Sequence, residues 1–245
     1  MANLYDEKMA PIFDAMYQTF INYDEEYQFY NHLITQLNCK TVLEIGSGTG
    51  NLAKRFLENN QEYIGLDLSE NMIALAQKRN KNGIFMRGDM REFKLDTKVD
   101  CTLITGRSTS YLITNDDVHA FRSISKNLNK GGILIFDFID ANRFIPFTKK
   151  NEIIIQEAEH ENVKYFRNSN WKTTSAENFM LEWTAQYYTL KNNKKEIIAD
   201  DFSIVRVFTL NEIQLFLFLN GFEIIQTIDR KTYAYDTYVI VAKQI

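Results

Sequence analysis

Val42-Leu-Glu-Ile-Gly-Ser-Gly-Thr-Gly50 is the stretch whose reading decides the fold. A short β-branched, apolar run, Thr41–Ile45, ends in glycines at 46, 48 and 50 and passes at once into a helical pattern. That helix is predicted over Asn51–Asn59, with Leu52, Phe56 and Leu57 on one stripe. Glycines let the backbone turn tightly and approach a ligand closely. The helix N-terminus behind them favours a negative group. A dinucleotide fingerprint would read Gly-x-Gly-x-x-Gly. Here position 51 is Asn51 and the third glycine comes one residue early, so the spacing disfavours a nicotinamide-dependent oxidoreductase. Glu44, just before the loop, suits a cationic ligand better than a pyrophosphate.

Strand and helix patterns go on alternating beyond this loop. Tyr63–Leu66, Ile84–Met86, Val99–Thr105 and the near-continuous apolar run Ile133–Phe138 read as strands. Ser69 is placed to cap a helix over Asn71–Arg79. Asn115 or Asp116 starts a long helix through Leu128, which Gly131-Gly132 stops. A strand apolar on both faces belongs inside a parallel sheet, so a doubly wound α/β layer structure is predicted. From about residue 151 to 208 the period changes to two. Phe179, Leu181, Trp183, Ala185 and Tyr187 fall on one face of a strand over Phe179–Thr189. With Ile153–Glu157, Val163–Ser169 and Glu196–Val207 as neighbours, this is an inserted antiparallel sheet. Thr209 and Glu212 form a capping box for a helix running to Asn220-Gly221. Phe222–Ile228 and Tyr238–Ala242 then return to the main sheet. The domain reading is one α/β unit over 1–150 and 209–245, with 151–208 as the inserted β subdomain. The first 38 residues read as helical and are dense in aromatics, with Tyr5, Phe13, Tyr17, Tyr23, Tyr27 and Phe29.

Composition bounds the function. The 245 residues are 45% hydrophobic and 24% charged, an ordinary globular balance. With 28 Lys and Arg against 32 Asp and Glu, the net charge is −4, which argues against a non-specific nucleic-acid coat. Cys39 and Cys101 cannot build a disulfide framework. Together with His32, His119 and His160 they show no ligand spacing, so no metal site is expected. The N-terminus, Met1 to Lys8, is polar and acidic, unlike a signal peptide. Ile133–Ile139 and Ile213–Leu219 fall far short of the ~20 apolar residues that span a bilayer. The expectation is a soluble cytoplasmic protein.

Two acidic positions stand in register with the glycine loop. Asp67 ends Tyr63-Ile-Gly-Leu-Asp67, and in a doubly wound fold ligands bind at the carboxyl ends of the strands. A carboxylate there can accept both hydroxyl protons of a ribose. Gly88-Asp-Met90 follows the third strand, where Asp89 could accept from an adenine amino group while Met90 covers the ring. Together these segments resemble the class I S-adenosylmethionine-dependent methyltransferases. Glu44–Gly50 matches the first motif, Asp67 the acidic ribose residue, Asp89-Met90 the adenine contact, and Asn127–Asp137 the segment leading into the fifth strand. Similarity runs over roughly residues 40–140, plus the last helix and strand pair, and is strongest to the small-molecule branch with an antiparallel insert, which includes amino-sugar N-methyltransferases and glycine N-methyltransferase-like enzymes. The resemblance implies a Rossmann-like seven-stranded sheet in the order 3-2-1-4-5-7-6, its last strand antiparallel. It implies S-adenosylmethionine as cofactor and S-adenosylhomocysteine as product. Backbone at Gly46 and Gly48 would receive the methionine part, Asp67 the ribose, and Asp89 with Met90 the adenine; Glu44, Ser47 and Leu68 complete the cofactor-binding set. Thr105 or Gly106 would offer a carbonyl to the methionine ammonium. In related enzymes an N-terminal aromatic closes over the cofactor, and Tyr17 is the candidate here, with Tyr23 second.

Thr105-Gly-Arg-Ser-Thr-Ser-Tyr-Leu112 follows the fourth strand, so its side chains should face the acceptor. Tyr111 and Arg107 are the candidate catalytic residues. Tyr111 occupies a place where the amino-sugar branch carries a His or Tyr. Arg107 could bind a carboxylate or phosphate, or pair with a local acid. Phe138, Asp140 and Arg143 would line the far wall, and the insert, with Trp183, Tyr187 and Arg206, would lid the site or form a dimer. The reading is methyl transfer to a small-molecule acceptor, N-methylation preferred. The alternative is a non-catalytic module that binds or senses S-adenosylmethionine. No nucleic-acid or membrane partner is expected, and a homodimer is plausible because the insert exposes sheet edges.

Overall fold

The computed structural model describes residues 6–150, 152–175, 179–231 and 236–245; Tyr5 lies outside them. The elements in chain order are α1 (Met9–Gln18), α2 (Tyr23–Gln36), β1 (Thr41–Ile45), α3 (Asn51–Glu58), β2 (Glu62–Asp67), α4 (Glu70–Arg79), β3 (Ile84–Arg87) and β4 (Val99–Ile104). Next come α5 (Ala120–Asn127), β5 (Leu128–Ile139), α6 (Ala141–Thr148), β6 (Ile154–His160) and β7 (Val163–Ser175). The chain closes with β8 (Met180–Lys191), β9 (Lys194–Arg206), α7 (Leu210–Leu219), β10 (Phe222–Lys231) and β11 (Asp236–Gln244).

The main sheet has seven strands in the order β3-β2-β1-β4-β5-β11-β10. β1 to β5 run parallel, and β11 is antiparallel to both β5 and β10. Alternation along each strand divides the core between the faces. Leu43, Ile45, Leu134 and Phe136 pack against Phe121 and Ile124 of α5 and Ile213 and Leu217 of α7. Val42, Leu103 and Ile135 pack against Tyr30 and Leu33 of α2 and Leu52 and Phe56 of α3. The expected α/β architecture and strand order are therefore what the chain adopts. Ser69 caps α4 by accepting the Met72 amide, and the Thr209–Glu212 capping box closes the start of α7.

Three boundaries differ from the sequence reading. The long helix predicted from residue 115 through Leu128 is a 3-10 turn over Asp116–His119 followed by α5 alone. The Asp117 carboxylate accepts the Thr114 amide and pairs with Arg91, which holds the turn in place. Gly131-Gly132 do not stop the helix. It ends at Asn127, whose amide group bonds Leu95 and Phe93, and β5 runs on through both glycines. Gly131 takes φ +72°, with an irregular register against β4 between Val99 and Cys101. The sequence reading assigned no helix to 141–148, yet α6 forms there. The Asp140 side chain caps it, and Ala141 and Phe144 bury against the insert beside Leu181 and Val205.

The insert is a four-stranded antiparallel sheet, β6-β7-β8-β9. Leu181, Ala185 and Tyr187 of β8 are buried, on the face the alternation assigned inward. What covers them is partly α1, because Met9 and Ile12 share one core with Ala185, Tyr187 and Ala199. The first helix thus packs on the insert across the predicted domain boundary. No helix among the described residues is long and apolar enough to cross a membrane.

Candidate functional site

A cavity of about 730 Å³ opens at the carboxyl ends of β1, β2 and β4, beneath α1 and the start of α2. That lies within the ~300–1,000 Å³ typical of small-molecule pockets. Its floor is the glycine loop. Gly46 and Ser47 donate their amides to the Leu66 carbonyl at 2.8 and 3.1 Å, which fastens the loop to β2. Gly46 and Gly48 hold φ +74° and +53°, a region that residues with a Cβ enter only at a cost. The two differ in what lies above them. A Cβ on Gly46 would collide with the Ser108 side chain, whereas one on Gly48 would meet nothing within 4 Å. Gly48 therefore presents bare backbone to the open cavity. The Ser47 Oγ, also lining it, is buried with no hydrogen-bond partner among the described residues.

Three acidic residues stand around this floor, each in a different environment. Glu44 is 2% exposed and accepts hydrogen bonds from the Tyr63 hydroxyl and, at 3.0 Å, the Thr105 hydroxyl. No cation pairs with it among the described residues. Burial pushes its carboxyl up to about 7 in spite of those two donors, and Asp67 adds to the rise. Asp67 accepts the Gly48 amide at 2.8 Å and the Ser69 amide at 2.9 Å. Burial raises it above the ordinary range, against the pull of those amides. The Leu68 amide bonds it as well, and since a carboxylate offers about four lone-pair sites, acceptor capacity remains for a ligand. Asp89 instead forms a bidentate pair with Arg91, whose hydrogen bonds hold it below the ordinary range. Arg91 also reaches Asp117. Met90 and the exposed Leu68 complete this rim.

The roof is α1. Tyr17 lines the cavity and stacks on Phe13 with centroids 4.0 Å apart. Tyr23 lines it from the first turn of α2. Holding the roof down is Asp14, which sequence reasoning missed. Its carboxylate accepts from the Thr49 hydroxyl, from Asn51 Nδ2 at 2.7 Å and from Arg79 Nη2 at 2.6 Å. One carboxylate so joins α1 to the glycine loop and to the end of α4. The available signal was a single acid set in the apolar turn Ile12-Phe-Asp-Ala-Met16, which is buried on both sides.

After β4, Thr105, Gly106, Ser108 and Tyr111 all line the cavity, and Tyr111 is half exposed at its mouth. Arg107 does not line it. Arg107 takes φ +65°, which turns its amide to the Asp137 Oδ1 at 2.7 Å. Its charge also offsets the burial that lifts Asp137 to about 6. The local acid beside Arg107 is therefore Asp137, bonded through the Arg107 backbone amide. Nor do the far-wall residues face the cavity. Phe138 is fully buried in the main core, Asp140 caps α6, and Arg143 forks onto Asp229 while donating to the Tyr238 hydroxyl. Sequence reasoning also missed Glu26, which lines the cavity from α2 and pairs bidentately with Arg230. Of the residues singled out for the cofactor, Tyr17, Glu44, Gly46, Ser47, Gly48, Asp67, Leu68, Asp89, Met90, Thr105 and Gly106 surround one space.

Residues 42–132 match the family described as methyltransferase domain. A curated relative from Streptomyces venezuelae, dTDP-3-amino-3,4,6-trideoxy-alpha-D-glucopyranose N,N-dimethyltransferase, is 31% identical over 98 residues, or 40% of this chain and 41% of the relative. Across eight curated relatives, this chain spans 41% to 64% of their length. Among solved structures, Streptomyces venezuelae DesVI superposes with a TM-score of 0.78 at 18% identity, over 94% of this chain and 97% of that one. CalS10, an amino pentose methyltransferase from Micromonospora echinaspora solved with S-adenosylmethionine bound, gives 0.77 at 19% identity over 100% of both chains. At such identities the likeness is one of fold.

Proposed function

We propose, from the match of residues 42–132 to a methyltransferase domain, that the chain transfers a methyl group from S-adenosylmethionine to a small-molecule acceptor, an amine nitrogen preferred. The observation that carries this reading is Glu44, a buried carboxylate with hydroxyl donors and no cation among the described residues, set beside the bare backbone of Gly48. That arrangement fits the methionine end of the cofactor, whose ammonium and sulfonium are both positive. The unpartnered Ser47 hydroxyl adds a polar contact at the same end. Asp67, with acceptor capacity left beyond its backbone amides, fits the ribose hydroxyls, and Asp89 with Met90 fits the adenine. Bound there, S-adenosylmethionine supplies an electrophilic methyl group.

The residues of the chain do the rest. Glu44 and Asp67 hold the two ends of the cavity floor, and Tyr17 on α1 excludes water from above. Tyr111, at the mouth, orients the acceptor. Orientation of this kind can lower a barrier by ~7–11 kcal/mol without a strong base, provided that the acceptor nitrogen arrives neutral. The preference for nitrogen is supported by Glu44 and Asp67, acids of the cavity lining that form no ion pair among the described residues and attract amines. It is supported further by the amino-sugar acceptors named for the Streptomyces relative and for CalS10. Arg107, outside the cavity, has a positioning role in this reading, holding the loop after β4 on Asp137.

The same proposal takes 151–208 as the inserted subdomain, a homodimer as the assembly and the cytoplasm as the compartment. The two free, buried cysteines suit reducing conditions. Nucleic acid and membrane play no part in it. Labelled methyl transfer to a panel of amino sugars, simple amines, phenols and carboxylic acids tests the reaction. Label is expected in the amines. Label in phenols or acids alone overturns the nitrogen preference, and cofactor binding without transfer to any acceptor overturns catalysis.

A further inference from the structure

Arg167, on β7 of the insert, is 6% exposed and reaches back to the roof of the cavity. Its guanidinium lies 5.6 Å from the centroid of Tyr17, 5.7 Å from Phe20 and 5.5 Å from Trp183. One nitrogen donates to the Tyr187 hydroxyl at 3.4 Å, another to the Gln156 side chain, and the Tyr17 hydroxyl belongs to the same group. Cations are attracted to the faces of aromatic rings at this range. Burying a guanidinium is costly where no carboxylate forms a close pair with it. Asp201 feels its charge, but its Oδ2 and the Arg167 Nε are both buried without a hydrogen-bond partner among the described residues. An apolar side chain would fill the same space without that cost, so packing alone does not account for an arginine here.

What the guanidinium touches on α1 is the turn that carries Tyr17, the ring over the cavity. A second polar fastening of α1 is Asp14, on the glycine loop and α4. The helix is thus tied to the main domain by a carboxylate, and to the insert by a cation between rings beside the apolar packing of Met9 and Ile12. Resting on the cofactor reading above, we infer that Arg167 is a positioning residue that holds Tyr17 over the bound cofactor and couples cofactor seating to the insert. The contact is made with ring faces, which tolerate sliding better than a bidentate ion pair does, and that suits an element that must admit a ligand.

The test uses Trp183 as reporter, in a Trp171→Phe background so that its emission is read alone. Titration with S-adenosylhomocysteine is expected to change the Trp183 emission saturably. In Arg167→Met that response disappears, and the calorimetric Kd rises by about tenfold, within the usual range of coupling between sites. Its Tm is expected not to fall. Arg167→Lys, which keeps the charge but not the planar fork, restores part of the response. Tyr17→Leu raises Kd similarly, and the double variant binds no more weakly than the weaker single one, because the two act as a unit. An unchanged Kd in Arg167→Met, a persisting Trp183 response, or additive losses in the double variant overturns the inference. If Arg167→Met does not fold, the Lys and Tyr17 variants decide it. No binding of S-adenosylhomocysteine to the unsubstituted chain removes the cofactor reading and this inference together. Normal binding there with an unchanged Kd in the variants removes this inference alone.

Discussion

Glu44 links the chemistry of the cavity to pH. In the unfolded chain its carboxyl ionises near 4.5, and in the folded chain burial lifts it to about 7. The folded state therefore keeps a proton that the unfolded state has released. The stability this contributes is fully present below about 4.5 and is lost as the pH rises to about 7. Glu44→Gln is expected to flatten that part of a stability–pH curve followed by urea unfolding. A cationic ligand favours the ionised form, so S-adenosylmethionine should bind more tightly as the pH rises from 5.5 to 7.5, and binding should release a proton. Calorimetry in buffers of different ionisation enthalpy reads that proton, and its absence would mean that Glu44 does not face the cation. Asp67→Ala should weaken binding by ~1.5–3 kcal/mol, the scale of a hydrogen bond to a charged group, and an unchanged Kd would move the ribose elsewhere. Both residues were legible because an acid at the end of an apolar strand has few structural reasons to be there. Asp14 was not. Its partners Thr49, Asn51 and Arg79 lie 35, 37 and 65 residues away, and no local spacing announces such a group. Arg107 was placed by its position after the fourth strand. Its left-handed backbone, which turns the residue toward Asp137, left no mark in the sequence.

Among the elements, the glycine loop separates folding from binding. Alanine at 46 or 48 would hold a positive φ, at a cost of roughly 1–2 kcal/mol. At 46 the new methyl also meets Ser108, whereas at 48 it projects into the cavity. Gly46→Ala is thus expected to lower the Tm further, and Gly48→Ala to weaken cofactor binding out of proportion to its stability loss. Scanning fluorimetry and calorimetry on the pair check this, and the reverse order would contradict it. Strand and helix cores were read well from the sequence because burial on one face imposes a period that propensity alone cannot fake. Boundaries were read less well where tertiary contacts set them. β5 takes in Gly131-Gly132 because Leu128 is drawn into the main core, and α5 is short because Asp117 and Arg91 hold the preceding turn. α6 went unassigned because its eight residues include Pro146 and bury against an insert whose position no local pattern reveals.

At the scale of the whole molecule, α1 bridges the main domain and the insert over the cavity. Its aromatic density was visible in the sequence, but not the surface it covers, because Met9 and Ile12 meet Tyr187 and Ala199 more than 170 residues later in the chain. Asp14→Ala removes the acceptor for Thr49, Asn51 and Arg79 together. Amide exchange is expected to accelerate across Met9–Gln18 while β1, β4 and β5 stay protected, and the cofactor should bind more weakly. Uniform acceleration would make Asp14 a determinant of global stability rather than of the roof. The central claim is that this cavity takes S-adenosylmethionine by its cationic end on Glu44 and by its ribose on Asp67. The most direct measurement is calorimetric titration of the purified chain with S-adenosylmethionine and with S-adenosylhomocysteine. Saturable binding of both, one ligand per chain and weakened by Asp67→Ala, is the expected result. Heat indistinguishable from dilution for both ligands would contradict the claim.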